Sequence, residues 1–228
     1  MTNQPDIFVY GIRFQEPIIA LTSFIVTAFC FIGYYKTRFA KKNSSIYLYR
    51  LFILFIGISS FLGGLFGHAF LYKFGLGGKF STWYTSMMAI TFAQQAGIMR
   101  AKQFISDQFY KILSILNVLQ LFIFMVVITF NPQFIFVEIH TAIGLLAIVT
   151  VVESYILSKN KCRISLNILT GIGMLVIAVS FHIFKISASP WFTYFDFGHI
   201  FLSICMMFFA LSILKYHESE VRTAIVKG

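Results

Sequence analysis

Residues 109–130 read FYKILSILNVLQLFIFMVVITF, and after Asn131-Pro132-Gln133 residues 134–158 read FIFVEIHTAIGLLAIVTVVESYILS. A membrane-spanning helix needs about 20 mostly apolar residues, and both runs satisfy that requirement. Because three residues join them, the two helices are predicted to lie side by side and antiparallel. This pair of runs predicts a helical membrane protein.

The composition of the whole chain agrees with that class. Hydrophobic residues make up 58% of the 228 residues, with 29 Phe, and charged residues make up 11%. Soluble domains carry roughly 25% charged residues. The net charge of +10 comes from Lys and Arg in short connectors, a pattern typical of topology signals and anionic-lipid contacts. We therefore expect membrane lipids as partners and no nucleic acid.

Seven apolar runs are long enough to span a membrane, and no soluble domain or internal repeat is visible between them. The third run is the weakest because Thr82, Ser86, Gln94 and Gln95 dilute it. The prediction is an all-α, seven-transmembrane helix bundle that forms a single domain over residues 1–228. Its helices are predicted at residues 17–35, 46–70, 82–100, 109–130, 134–158, 165–186 and 195–215.

The distribution of basic residues predicts the orientation, because cytoplasmic connectors are enriched in Lys and Arg. With the N-terminus outside, the outer side carries Arg13, Lys73, Lys79 and Lys185. The inner side carries Lys36, Arg38, Lys41, Lys42, Arg50, Arg100, Lys102, Lys111, Lys159, Lys161, Arg163, Lys215, Arg222 and Lys227. We therefore expect an integral multi-pass protein of the cell (inner) membrane, with its N-terminus outside and its C-terminus in the cytoplasm.

This topology brings four of the five histidines to the outer ends of four different helices. They are His68, His140, His182 and His199. Glu138 and Asp196 lie within three residues of two of these histidines. Ionisable side chains inside a membrane are costly and often mark function. The sequence therefore predicts a functional layer near the outer face.

Helical phase refines this layer. Residues three or four apart share a helix face, so Asp196 and His199 form one stripe, and Ser60 and His68 lie on another. Glu138 and His140 are about 200° apart around their helix, so they do not both face the bundle. The sequence does not decide between them.

Histidines from several helices beside a carboxylate suit Zn²⁺, which takes three protein ligands and a water in catalytic sites. The predicted metal ligands are His68, His199, His140 and His182. Asp196 and Glu138 are candidates to orient an imidazole or take a proton. Ser60 is a candidate donor to a developing oxyanion. Structural roles compete: an end-of-helix histidine is commonly bonded to a carbonyl or headgroup, and Asp196 suits a helix N-cap.

Seven helices with Ser60 and His68 on the second and an acid–histidine pair on the seventh resemble the alkaline ceramidase/progestin-adiponectin receptor superfamily of seven-helix membrane hydrolases. The resemblance implies that His68 and His199 are zinc ligands and that Ser60 is the supporting hydroxyl. This chain departs from the family pattern because Asp196 stands where a second histidine is expected, and its third helix has no Asp. The family's Ser also lies closer to its His than Ser60 lies to His68.

The leading hypothesis is a zinc-dependent intramembrane hydrolase of a lipid amide or ester, with a hydrophobic substrate entering near the outer face. Two alternatives use the same residues: a haem-binding redox protein with axial histidines, and a non-catalytic receptor or transporter in which they titrate. Gln94, Gln95, Asn117 and Gln120 are predicted to form structural hydrogen bonds between helices. Arg50 or Lys159 is predicted to neutralise Glu153.

Overall fold

The computed structural model describes residues 4–40 and 44–227, and side chains up to residue 217. Lys41 and Lys42, two of the basic residues assigned to the inner side, lie outside the described residues, as do the side chains of Arg222 and Lys227. In the described part, seven helices account for about 81% of the chain. They are α1 Pro17–Lys36, α2 Ser45–Ala69, α3 Leu71–Ala101, α4 Asp107–Phe130, α5 Ile135–Asn160, α6 Arg163–Ile183 and α7 Tyr194–Lys227.

The all-α prediction is confirmed. Six of these helices are long and apolar enough to cross a membrane, and α3 is the helix outside that group. The helix begins at Leu71 rather than at residue 82. Its first turns are rich in glycine and contain a break at Gly75, whose φ is 52°, so this segment lacks the apolar periodicity of a span. At the other end of the chain, α7 continues to Lys227, beyond the predicted end at residue 215.

Successive helices alternate in direction, as the short connectors predict. The start of α1 lies beside the end of α2, where the backbone N–H of Gln15 donates to the carbonyl of Ala69 at 3.0 Å. At the opposite end, Nε of Arg50 at the start of α2 donates to the carbonyl of Tyr34 near the end of α1 at 3.3 Å. We call the end at which α1 begins and α2 finishes the His68 end.

The core lies among α1, α2, α3, α5, α6 and α7, and aromatic packing and close helix approach hold it together. The rings of Phe52 on α2 and Phe209 on α7 meet edge to face at 4.9 Å. A Cβ atom at Gly57 would lie 2.8 Å from Cβ of Cys30, so a small residue is what lets α1 and α2 touch there. By contrast, only 11% of the most apolar stretch of α4 is buried inside the protein. This helix therefore borders the bundle and turns most of its surface to lipid.

A short β-hairpin precedes α1, which the sequence reasoning did not predict. Strand β1, Ile7–Val9, pairs antiparallel with β2, Ile12–Phe14. Tyr10 and Gly11 join the strands with φ values of 51° and 79°, and positive φ at both central residues suits a tight two-residue hairpin turn. The preceding Gln4 accepts the N–H groups of Ile18 and Ile19 through Oε1, at 3.0 and 3.2 Å. The residue that leads into the hairpin therefore caps the first turn of α1.

Two helices contain π-helical segments, Gly63–Ala69 in α2 and Ala142–Val149 in α5. A π-helix bonds each N–H to the carbonyl five residues back, so its turn is wider than that of an α-helix. The α-helical phase is therefore not conserved from Ser60 to His68. Because of this change, the prediction that Ser60 and His68 share one face of the helix does not hold.

Candidate functional site

The first acid–histidine pair of the His68 end joins α2 to the start of α1. Nδ1 of His68 donates to Oε2 of Glu16 at 2.7 Å, and the side chains are 19% and 9% exposed. Glu16 directly precedes Pro17, the first residue of α1, and has a positive φ of 48°. The bond from Gln15 to Ala69 holds this segment against the end of α2. The local backbone therefore positions the carboxylate that orients His68.

The second pair is bridged by a hydroxyl. On α7, His199 Nδ1 lies 2.9 Å from Oγ1 of Thr22, and Thr22 Oγ1 lies 3.0 Å from Oδ1 of the buried Asp196. When Thr22 donates to Asp196, its oxygen accepts the N–H of His199. The carbonyl of Ile19 competes for the same hydroxyl hydrogen at 3.1 Å. A threonine of α1 thereby connects the acid and the imidazole of α7.

Asp196 has a structural role as well. Its Oδ2 accepts the backbone N–H of Thr193 at 2.7 Å and the hydroxyl of Thr193 at 2.9 Å. Thr193 directly precedes α7, so Asp196 reaches back from the first turn as in a capping box. Asp196 is therefore the third residue of α7 and not the N-cap that the sequence had suggested, and the other oxygen of the same carboxylate serves the histidine.

His68 and His199 are brought together from α2 and α7. Their ring centroids lie 6.2 Å apart with an interplanar angle of 79°. Both Nδ1 atoms are held, directly by Glu16 or through Thr22, so Nε2 is the nitrogen that each ring offers for other chemistry. Ser23 Oγ lies 3.5 Å from both ring nitrogens of His199 and donates to the carbonyl of Ile19 at 2.8 Å.

These residues supply two imidazoles and a carboxylate, the donor set of a catalytic zinc site of the His₂Glu type. The hydrogen bond from Nδ1 of a ring to an acid is also usual for metal-binding histidines. The donor chemistry therefore fits zinc. Within residues 4–40 and 44–217, however, no three His, Cys, Asp or Glu side chains converge in a group suited to hold a metal. Because Glu16 is bonded to His68, it would have to turn from Nδ1 to become a ligand.

A third pair, Glu138 and His182, lies between α5 and α6. Nδ1 of His182 donates to Oε1 of Glu138 at 2.6 Å, and both side chains are partly exposed. The sequence left His182 without an acidic partner, and the structure supplies one from the neighbouring helix. The Phe195 ring lies 5.2 Å from the ring of His182 and 6.0 Å from that of His68. The ring of Phe195 therefore lies between the Glu138–His182 pair and the Glu16–His68 pair.

His140 does not join this layer. It is fully buried, with Nε2 3.1 Å from the carbonyl of Met87 and Nδ1 3.0 Å from Nε2 of Gln120. Nε2 therefore donates and Nδ1 accepts. Of the two α5 candidates, His140 faces the bundle and Glu138 turns toward α6. Shared membrane depth was insufficient to group these histidines, because the helices carry them to different interfaces.

Ser60 is also outside the cluster. Among the described residues its side chain makes no hydrogen bond to His68, whereas its neighbour Ser59 donates to the carbonyl of Thr82 at 2.9 Å. Two residues of the cluster, Glu16 and Thr22, were missed by the sequence reasoning. Glu16 had a signal: it is an acid placed directly before the first apolar run, at the same end as the histidines. Thr22 had none, because hydroxyls are common inside membrane helices.

The amide side chains of α3 and α4 form the predicted interhelical bonds. Gln94 donates to Gln120 at 3.3 Å, Asn117 donates to Gln95 at 3.1 Å, and Gln95 donates to Ser114 at 2.9 Å. This network ends on His140 through Gln120. It accounts for the two glutamines of the weakest apolar run, while Thr82 and Ser86 donate to carbonyls of their own helix.

The opposite end of the bundle contains a buried ion pair. Glu153 is fully buried and lies 2.6 Å from Nε and 3.0 Å from Nη2 of Arg100. Tyr49 donates to the same carboxylate at 2.9 Å, and Arg100 also donates to Ser165 at 3.0 Å. The expectation that Arg50 or Lys159 neutralises Glu153 was therefore wrong. Arg50 instead stacks its guanidinium over a tyrosine ring of α1.

Cys162 lies just before α6, beside this ion pair. Burial raises the pKa of its thiol, but hydrogen bonds from the backbone N–H groups of Ser165 and Ile164 lower it, and so does the charge of Arg100. The lowering effects prevail, so the pKa lies below its ordinary value. The other two cysteines, Cys30 and Cys205, are free and buried.

Fold and site together define a multi-pass, all-helical membrane protein with acid–histidine pairs gathered at one end of its bundle. The chain belongs to a family of unknown function (DUF6962), whose model matches residues 18–218. That range includes the helices that contribute His68, Asp196 and His199, and it begins after Glu16. No curated protein and no solved structure matches the chain.

Proposed function

We propose that the protein is a zinc-dependent membrane hydrolase that acts on a lipid amide or ester at the His68–His199 cluster. One observation carries the proposal: the histidines of α2 and α7 lie with ring centroids 6.2 Å apart, each with Nδ1 bound toward an acid. The arrangement leaves both Nε2 atoms for a ligand. It also agrees with the resemblance to the ceramidase/progestin-adiponectin receptor superfamily, which remains a prediction.

His68 and His199 would hold the metal through Nε2, and Glu16 would become the carboxylate donor by turning from Nδ1 of His68 toward the metal. Bound zinc lowers the pKa of a water and polarises a carbonyl. Before it turns, Glu16 orients His68 so that Nε2 faces away from the acid, and Asp196 orients His199 in the same way through Thr22. A hydrophobic substrate would reach the cluster laterally from the lipid.

The proposal includes the topology. The short connectors favour alternating helix directions, which would make α3 cross the bundle even though its mean hydropathy is lower. We infer from this alternation that α3 is a seventh span, with the His68 end outside, the C-terminus cytoplasmic, and the cell (inner) membrane as the location. The excess of Lys and Arg at the opposite end supports this orientation.

Metal analysis of the purified protein tests the proposal. We expect about one zinc per chain, the stoichiometry of a single catalytic site, and its loss in His68→Ala and His199→Ala. His217→Ala is the matched control, because this histidine lies at the opposite end against Phe39. Protein that is purified without chelator, contains no zinc and takes up none would contradict the proposal. Iron with a Soret band would instead indicate the haem-binding alternative.

A second candidate function is a non-catalytic, proton-linked receptor or transporter. The Glu138–His182 pair favours it. This acid–histidine pair lies at the same end as the Glu16–His68 pair and has no residue in common with it. This function predicts activity that depends on Glu138 and His182 in metal-free protein. The two functions are separated by whether Glu138→Gln leaves zinc content and lipid hydrolysis intact.

A further inference from the structure

The β-hairpin exposes an apolar surface at the His68 end. Phe8 is 71% exposed, Tyr10 is fully exposed, and Ile12 is 49% exposed. The strand register places Phe8 on the face of Arg13 and Ile12 on the face of Val9, so the hairpin exposes apolar side chains on both faces. Exposed apolar side chains close together usually mark an interaction surface. The hairpin is attached to the bundle where Phe14 packs on Phe70, with ring centroids 5.4 Å apart.

The first turns of α3 continue that surface. Tyr72, Phe74 and Leu76 are 39%, 48% and 50% exposed. The break at Gly75, where φ is 52°, lies within this segment, between Phe74 and Leu76. The apolar side chains of this segment alternate with Lys73 and Lys79 in sequence. Such a mixture of aromatic and basic residues is typical of segments that lie in a membrane interface.

Arg13 joins the two pieces. Its guanidinium lies over the ring of Tyr72, 5.1 Å from the centroid, and pairs with Asp6 of the hairpin. Lys73 and Lys79, in contrast, have no acidic partner among the described residues. The combined surface, which we call the aromatic platform, consists of residues 7–14 and 71–80. It carries two uncompensated positive charges beside exposed aromatic rings.

We propose that the aromatic platform binds the headgroup layer of the leaflet at the His68 end, with a preference for anionic phospholipid. Aromatic side chains are favoured at the headgroup level, and lysines on flexible stems reach phosphate oxygens from there. Each lysine near an anionic surface contributes about a fivefold preference. The two lysines together predict a preference of about 25-fold. This inference does not depend on zinc or on hydrolysis.

A fluorescent label at the hairpin tip tests the proposal in the full-length protein. Cys162→Ser removes the accessible thiol and leaves the two buried ones, and Tyr10→Cys then accepts a bimane label at the tip. The control label is at Gln133→Cys, an exposed polar connector residue between α4 and α5 at the same end. Both proteins are reconstituted into phosphatidylcholine vesicles and into vesicles with equal phosphatidylcholine and phosphatidylglycerol.

We expect lipids brominated near the headgroup to quench the tip label, more strongly in the anionic vesicles, and aqueous iodide to quench the control label. Lys73→Gln with Lys79→Gln should remove the difference between the two vesicle types. Iodide quenching of the tip label in both vesicles would overturn the proposal. Protection from both quenchers would also overturn it, because a protein partner would then cover the tip. Quenching by lipid without any dependence on anionic headgroups would refute the stated preference.

Discussion

Replacing Glu153 by Gln should destabilise the protein strongly. The carboxylate is fully buried and contacts Arg100 through two nitrogens, at 2.6 and 3.0 Å. Glu153→Gln preserves the size of the side chain but leaves the guanidinium of Arg100 buried without a counter-charge. Removing one partner of a buried ion pair costs about 3–5 kcal/mol. We expect a loss of that size in the free energy of unfolding.

Two further variants separate the charge effect from the rest of the cluster. Tyr49→Phe removes one hydrogen bond to a charged group, which is worth about 1.5–3 kcal/mol, so it should cost less than Glu153→Gln. The double variant Arg100→Met/Glu153→Leu removes both charges and should recover most of the lost stability. Apolar replacement of a buried ion pair is often neutral or stabilising.

Unfolding in mixed detergent micelles, followed by circular dichroism, measures these differences. The reasoning is refuted if Glu153→Gln changes the free energy of unfolding by less than about 1 kcal/mol, the value of an exposed ion pair. It is also refuted if the double variant is as unstable as the single one. In that case the stability would come from packing around the cluster rather than from charge compensation.

Three shorter predictions address the rest of the bundle. Thr22→Val removes the hydroxyl that bridges the acid and the imidazole of α7, so it should cost about 1–3 kcal/mol in the same unfolding assay, while Thr22→Ser should retain most of the stability. Gly78→Ala should lower the free energy of unfolding by about 1–3 kcal/mol, because the added Cβ would lie 2.5 Å from a backbone carbonyl oxygen of α2. Gly77→Ala is its control, since a Cβ at that position meets nothing within 4 Å. Cys162 should react with iodoacetamide before the other two cysteines, because it is partly exposed and its pKa is lowered. Mass spectrometry that finds equal labelling of all three thiols would contradict this last expectation.

The sequence alone was sufficient to predict that each of the seven helices exists, because the apolar run that predicts a helix is a local feature. An apolar run of membrane length predicts a span wherever it packs, and the short connectors require alternating directions. The interhelical role of Gln94, Gln95, Asn117 and Gln120 followed for the same reason, since an amide inside a membrane needs a partner. The start of α3 was wrong because its first turns, near Gly75, lie on the aromatic platform and do not follow the pattern of a span.

The pairing of the ionisable residues was decided by the tertiary structure. Sequence and topology placed the four histidines at similar depths in the membrane: His68, His140, His182 and His199. Two residues at the same depth are in contact only if their helices are neighbours and are rotated toward each other. The π-helical turn changed the phase before His68, and the packing of α5 directed His140 to α4 and Glu138 to α6.

Glu16, directly before α1, and Thr22, within α1, complete the cluster. Both are remote in sequence from the histidines that they contact. The sequence thus determined a helical membrane protein with histidines near one end, because hydrophobicity and periodicity act over one helix at a time. Which histidine meets which acid was decided only by the packing of α1, α2 and α7, because hydrogen bonds between helices depend on their rotation and spacing.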